Sequence, residues 1–214
     1  MSISSKEIIE KLQWRYATKQ FDSSKKISPE IWEALEQSLI LSPSSYGLQP
    51  WKFIIVENPE IRAKLKTASW NQSQVTDASH FVVFTTLKNI SHEFIHHYIK
   101  LNAEVRGQAI ETLTGFENML KKSVEGMAAE QVKNWNQRQS YIAMGFLLET
   151  AALLNVDTIP MEGIDPKAYD DILGLTNTEY GTVAAVGLGY RSENDKYAAA
   201  KKVRFSREEI IKKI

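Results

Sequence analysis

Four basic residues near the two ends of the chain carry the clearest chemistry. Arg15 and Lys19 stand four positions apart at the end of an expected helix, so both face one point. Lys202 and Arg204 alternate, so in extended chain they share a side. Arginine grips phosphate bidentately and lysine acts on it as a point charge. Brought together, the two segments would clasp one phosphate-bearing ligand. Taken singly, each of these residues is better read as solvated charge.

A second candidate is the connection Ser42-Pro43-Ser44-Ser45-Tyr46-Gly47-Leu48-Gln49-Pro50-Trp51, between an expected helix and an expected strand. Its hydroxyls and free N–H groups beside a sheet edge suit a flat polar ligand or a phosphate. A third is Ile159-Pro160-Met161-Glu162-Gly163, where Pro160 stiffens the entry and Gly163 lets backbone approach a flat ligand. The alternative for that segment is a plain loop.

Two motifs point elsewhere. His92-Glu93-Phe94-Ile95-His96 fits the zinc-hydrolase pattern, with two histidines on one helix face and Glu93 as base. The same five residues are also an ordinary amphipathic helix with Phe94 and Ile95 turned inward, and no third ligand stands in a recognisable context. Gly187-Leu188-Gly189 has part of a dinucleotide loop, but it lacks the third glycine and a following helix. Close packing at a strand end accounts for it better.

The elements that must position these residues are legible from periodicity and caps. Ser4 and Glu7 have capping-box spacing and open a helix with Ile8, Ile9, Leu12 and Tyr16 on one side. Ser28-Pro29 opens a second, with Ile31, Trp32, Leu35, Leu39 and Ile40 as its buried stripe. Trp51–Val56, Phe81–Thr86 and Thr182–Tyr190 read as three buried strands. Asn58-Pro59, Asp165-Pro166 and Ser206 with Glu209 start short helices. Residues 91–155 are helical, and the stretch Tyr141–Leu154 is apolar enough to be buried on most sides. Long helical insertions between few strands give an α+β class rather than a doubly wound sheet.

Composition narrows the function. The 214 residues allow one core and one domain, and 43% hydrophobic with 24% charged residues is ordinary for a globular protein. A formal net charge of zero argues against bulk nucleic-acid binding, and the absence of cysteine excludes thiolate chemistry and cysteine-based metal sites. The first residues lack the apolar region of a signal peptide, and no apolar run approaches the roughly 18 residues of a membrane span. A cytoplasmic protein without membrane partners is expected.

With these blocks in view, the chain resembles the flavin-dependent nitroreductases, in particular the oxygen-insensitive NAD(P)H nitroreductases and the dihydropteridine-reductase-type members. The resemblance runs through Arg15–Phe21, Ser42–Trp51, Asn71, Asp77–His80, Pro160–Gly163 and Lys202–Arg204. It implies a central, mostly antiparallel sheet flanked by helices and an intertwined homodimer with two FMN sites at the interface. Arg15, Lys202 and Arg204 would hold the FMN phosphate, and Tyr16, Ala17 and Lys19 the ribityl and ring side. Pro43, Ser44, Ser45 and Gly47 would come from the other subunit. Asn71 and Gln74 would lie at the ring's polar edge, and backbone at Pro160, Met161, Glu162 and Gly163 would point at N5. No side-chain nucleophile and no metal is implied. NADH or NADPH would deliver hydride and leave, and a flat small-molecule acceptor (nitroaromatic, quinone or related compound) would then enter the same slot.

The chain also departs from the family pattern. Tyr16-Ala17 replaces a more polar pair. Gln74 stands where close relatives have a cation, so a lower flavin potential is expected, to be raised by Gln74→Lys. Tyr46 would narrow the acceptor slot. Arg106 would touch the nicotinamide nucleotide and Phe116 would line the channel. The competing readings are a zinc hydrolase on His92, Glu93 and His96, and a flavin-binding protein without turnover.

Overall fold

The computed structural model describes residues 3–214. Four strands form one sheet in the order β1-β2-β4-β3, with β1 Trp51–Ile55, β2 His80–Leu87, β3 Asp157–Met161 and β4 Tyr180–Gly189. Every neighbouring pair is antiparallel. The helices among the described residues are α1 Ser5–Trp14, α2 Pro29–Ile40, α3 Pro59–Thr67, α4 Gln74–Asp77, α5 His92–Arg106, α6 Thr114–Glu125, α7 Ala129–Leu153, α8 Pro166–Ile172 and α9 Arg207–Ile210. The α+β class stands.

Local chemistry sets the helix starts. Ser4 and Glu7 close a reciprocal capping box on α1, as Ser206 and Glu209 do on α9. Ser28, Asn58 and Asp165 cap α2, α3 and α8, each followed by proline at the first helical position, where the missing N–H costs nothing.

The sheet is covered on both faces, which explains the unbroken apolar run of β2. Val82, Phe84, Ala184 and Val186 pack with Leu35 and Leu39 of α2 and Ala143 and Leu147 of α7. Phe81, Val83, Ala185 and Ile159 pack on the other side with Leu65 of α3 and Tyr169 of α8. Ile95 and Ile99 of α5, Leu120 of α6 and Val132 of α7 close a third cluster over Leu48 and Leu87.

Three expectations need correction. β3 is a strand, not a loop: it carries Pro160 because it lies at the sheet edge, where a residue without an N–H breaks no central ladder. Within α7, the stretch 141–154 is buried on one side only, with Tyr141, Ile142 and Phe146 40–44% exposed. Ile40 lies outside the α2 stripe at 58% exposed, and Ile9 and Leu12 of α1 face solvent too. Apolar periodicity reports that a face is to be covered, not whether this chain covers it.

Candidate functional site

The fold brings the two basic segments together. Arg15, Tyr16, Ala17 and Lys19 line one side of a cavity of about 360 Å³, and Tyr197, Lys202 and Arg204 line the other. α1 ends at Trp14, and the chain then runs extended beside β3: Ala17 bridges to Thr158, and the Thr18 N–H donates to the Thr158 carbonyl at 3.1 Å. Arg15 therefore leaves the helix end pointing where the C-terminal segment arrives. The Lys202 ammonium donates to the carbonyls of Leu12 at 2.9 Å and of Arg15, closing the cavity from the tail side.

The electrostatics of this cavity call for an anion. The Nε of Arg15 is buried and has no hydrogen-bond partner. Burial lowers the Arg15 pKa, and Arg204 lowers it further. Burial and then the repulsion of Arg15 and Arg204 lower that of Lys202. Three cations converging without a carboxylate between them fit a group with several charged oxygens, such as a phosphate monoester.

Asp195 joins the two walls. It is 4% exposed, and its carboxylate accepts from the Tyr16 hydroxyl at 2.9 Å and from the N–H groups of Lys19, Gln20 and Tyr197 at 2.7, 3.0 and 3.0 Å. Burial together with the Asp195 hydrogen bond pushes the Tyr16 hydroxyl pKa well above its usual range, so it stays protonated and donating. The Arg191 guanidinium carbon stands over the rings of Trp14 and Tyr16, 4.2 and 4.6 Å from their centroids, while its Nε donates to Asp157 at 2.8 Å. Neither Asp195 nor Arg191 was among the residues singled out from sequence. Their partners lie as far as 179 residues away, so no local pattern announces them.

A second cleft of about 460 Å³ opens between α7 and the end of β3, lined by Tyr141, Met144, Pro160, Met161 and Glu162. The Tyr141 hydroxyl donates to the Glu162 carboxylate; burial, then that bond, pushes its pKa up to about 12. Gly163 is held tightly: a Cβ there would lie 2.7 Å from the Trp70 ring, and its carbonyl accepts from the Gln72 amide at 3.1 Å. The segment carrying exposed Asn71 and buried Gln74 thus adjoins Gly163.

The serine-rich loop lies apart from both cavities. Ser45–Gly47 forms a tight turn with Tyr46, Gly47 and Gln49 at positive φ. The Ser45 N–H donates to Gln139 of α7 at 2.8 Å, and Tyr98 of α5 donates to the Tyr46 carbonyl at 2.8 Å. The Gln49 N–H donates to the Ser44 hydroxyl at 2.9 Å. Tyr46 meets Trp135 edge-on. Within one chain these groups shape the loop itself. Arg106 is exposed in the last turn of α5, and Phe116 is partly buried against the third cluster. Neither borders the two cavities.

The histidine motif is split between two carboxylates. His92 pairs with Glu125 at 2.9 Å and His96 with Glu117 at 3.0 Å, so each ring faces its own acid across to α6. Among the described residues no group of three or more histidine, cysteine or acidic side chains is placed to hold a metal. Gly187 and Gly189 lie inside β4 with neighbours that leave little room for a Cβ, which disposes of the dinucleotide loop.

Residues 12–190 match the model of the nitroreductase family. A Staphylococcus epidermidis protein named as a candidate NAD(P)H nitroreductase is 36% identical over 99% of this chain and 98% of its own length. Among solved structures, a nitroreductase-like protein from Bacillus subtilis superposes with TM-score 0.87 at 19% identity, covering 99% of this chain and 100% of its own. Another, from Exiguobacterium sibiricum and solved in complex with FMN, gives 0.80 at 21%, covering 100% and 99%. The fold and the site define a small α+β protein with a cavity lined by cations from both ends of the chain. The chain belongs to the nitroreductase family. Lys202 and Arg204 lie beyond the family match, so their place in the cleft rests on the geometry.

Proposed function

We propose that the chain is an NAD(P)H-dependent FMN oxidoreductase whose phosphate cradle is Arg15, Lys202 and Arg204. The observation that carries this reading is the cavity itself: a buried, unpartnered nitrogen on Arg15, which lines it together with Lys202 and Arg204, in a chain of this family. Tyr16, Ala17 and Lys19 line the same cavity and would meet the ribityl chain and ring. Pro160, Met161, Glu162 and Gly163, with Asn71 and Gln74 beside them, would border the ring's reactive edge. When bound, FMN would supply hydride chemistry, accepting from NADH or NADPH and donating to a flat acceptor such as a nitroaromatic or a quinone. The chain's own part is to bind, orient and set the charge around the ring. A cation at Lys19 would favour negative charge developing at the nearby ring edge.

The homodimer belongs to the same reading. Ile9 and Leu12 of α1, Tyr141, Ile142 and Phe146 of α7, and Val203, Phe205 and Ile210 of the tail are all at least 40% exposed. We read these exposed apolar side chains as the surface a second copy covers. A second copy covering them would bring Pro43, Ser44, Ser45, Tyr46 and Gly47 of its loop to the flavin of the first. We place the activity in the cytoplasm, which holds NAD(P)H.

Steady-state NAD(P)H oxidation at several quinone concentrations tests the reading. Parallel double-reciprocal lines are expected, since donor and acceptor use one slot in turn. Intersecting lines would contradict a shared slot. Failure to oxidise either nucleotide with FMN present would contradict the enzyme and leave the flavin-binding protein without turnover. The histidine pairs with Glu125 and Glu117 give no support to a zinc hydrolase.

A further inference from the structure

We propose that Asp195 is the positioning residue of the phosphate cradle, a role that rests on the FMN reading above. The cradle is made from two segments that share no secondary structure. Arg15 and Lys19 belong to the extended run after α1, and Lys202 and Arg204 to the exposed tail. Three cations at their junction repel one another, so a ligand-free cradle tends to open.

The Asp195 carboxylate opposes this. One oxygen accepts from the Tyr16 hydroxyl and the N–H groups of Lys19 and Gln20, all on the first segment. The other accepts from the N–H of Tyr197, at the start of the second. A backbone tie supports it nearby: the Ser192 N–H donates to the Gln20 carbonyl at 2.9 Å, three residues upstream of Asp195. From Tyr197 the chain turns through bonds from Ala198 to Asp195 and from Ala200 to Tyr197, which set the direction in which Lys202 emerges. Asp195 itself does not line the cavity. It acts on phosphate only by fixing where Arg15, Lys202 and Arg204 stand. A buried carboxylate with four donors is also hard to replace: an amide at this position keeps one acceptor oxygen and presents N–H groups to N–H groups.

The test separates positioning from plain stability by comparing two flavins that differ only in phosphate. Full-length chain freed of flavin is titrated with FMN and with riboflavin, following flavin fluorescence. Asp195→Asn should weaken FMN about tenfold more than riboflavin, the factor set by about 1.4 kcal/mol, since riboflavin loses only what Tyr16 and Lys19 give the ribityl chain and ring. Tyr16→Phe removes one donor of four and keeps the ring; it should lower the preference for FMN by a smaller factor, and it serves if Asp195→Asn does not fold. Equal weakening of both flavins, or an unchanged preference in both variants, would overturn the proposal. A wild-type chain that binds neither flavin would instead remove the FMN reading, and this inference with it.

Discussion

Gly47→Ala probes the tight turn of the serine-rich loop, and its cost can be worked from geometry. Gly47 has φ +72°, a left-handed conformation that costs an L-residue about 1–2 kcal/mol. A Cβ built there would lie 2.5 Å from the Tyr98 hydroxyl oxygen, so the tyrosine must move and release the Tyr46 carbonyl. That bond is worth about 1 kcal/mol. The sum, about 2–3 kcal/mol, corresponds to a fall in melting temperature of about 4–12 °C for a chain of this size. Tyr98→Phe separates the two parts. It removes the hydroxyl beforehand, so Gly47→Ala in that background should cost only the backbone share, with a coupling of about 1 kcal/mol between the sites. Thermal unfolding of the wild type, both single variants and the double variant measures it. If Gly47→Ala costs as much in the Tyr98→Phe background as in the wild type, the hydroxyl is not what excludes a side chain at position 47.

Other consequences follow from the site and the core. Arg15→Met should weaken FMN binding about tenfold or more while leaving the flavin-free chain no less stable, because it relieves repulsion with Lys202 and Arg204; a parallel loss of both would contradict a cradle held open by like charge. Burial alone would raise the Asp195 pKa, but the N–H groups of Gln20, Tyr197 and Lys19 and the Tyr16 hydroxyl outweigh it and hold the carboxyl below its ordinary value. Its contribution to stability is therefore present above the unfolded-state pKa and lost as pH falls through the folded one. Urea unfolding should show Asp195→Asn less stable than wild type at neutral pH, with the gap closing as pH falls below the ordinary carboxylate range; a constant gap would refute the assignment. Tyr169→Phe removes a fully buried hydroxyl bonded to Ser69 at 2.6 Å and should cost about 1 kcal/mol in urea unfolding, since Ser69 keeps its bond to the Leu65 carbonyl. Replacing His92 and His96 by glutamine should leave NAD(P)H oxidation within about twofold and insensitive to chelator; abolition would revive the zinc reading.

How much was legible in the sequence depended on whether the cause was local. Caps and prolines at Ser4, Ser28, Asn58, Asp165 and Ser206 announced their helices, because the bonds they make lie within three residues. β2 declared itself by a short unbroken apolar run rich in β-branched and aromatic residues, the pattern of a strand covered on both faces. β3 did not, since Pro160 argues against a strand until its edge position is known. Arg15, Lys202 and Arg204 are readable as phosphate-binding candidates by residue type, whereas the cavity they share joins segments tied by Asp195, whose partners lie far off in sequence. The apolar stripes of α1 and α7 were visible too, but nothing in their spacing tells whether a second copy or this chain covers them.

The central claim, that the cavity between Arg15 and Arg204 serves an FMN oxidoreductase, is met most directly by an absorbance spectrum of the purified protein, taken before and after anaerobic NADH or NADPH. The account predicts flavin bands that bleach on addition of the reductant. A colourless protein that takes up no added FMN and consumes neither nucleotide would contradict it.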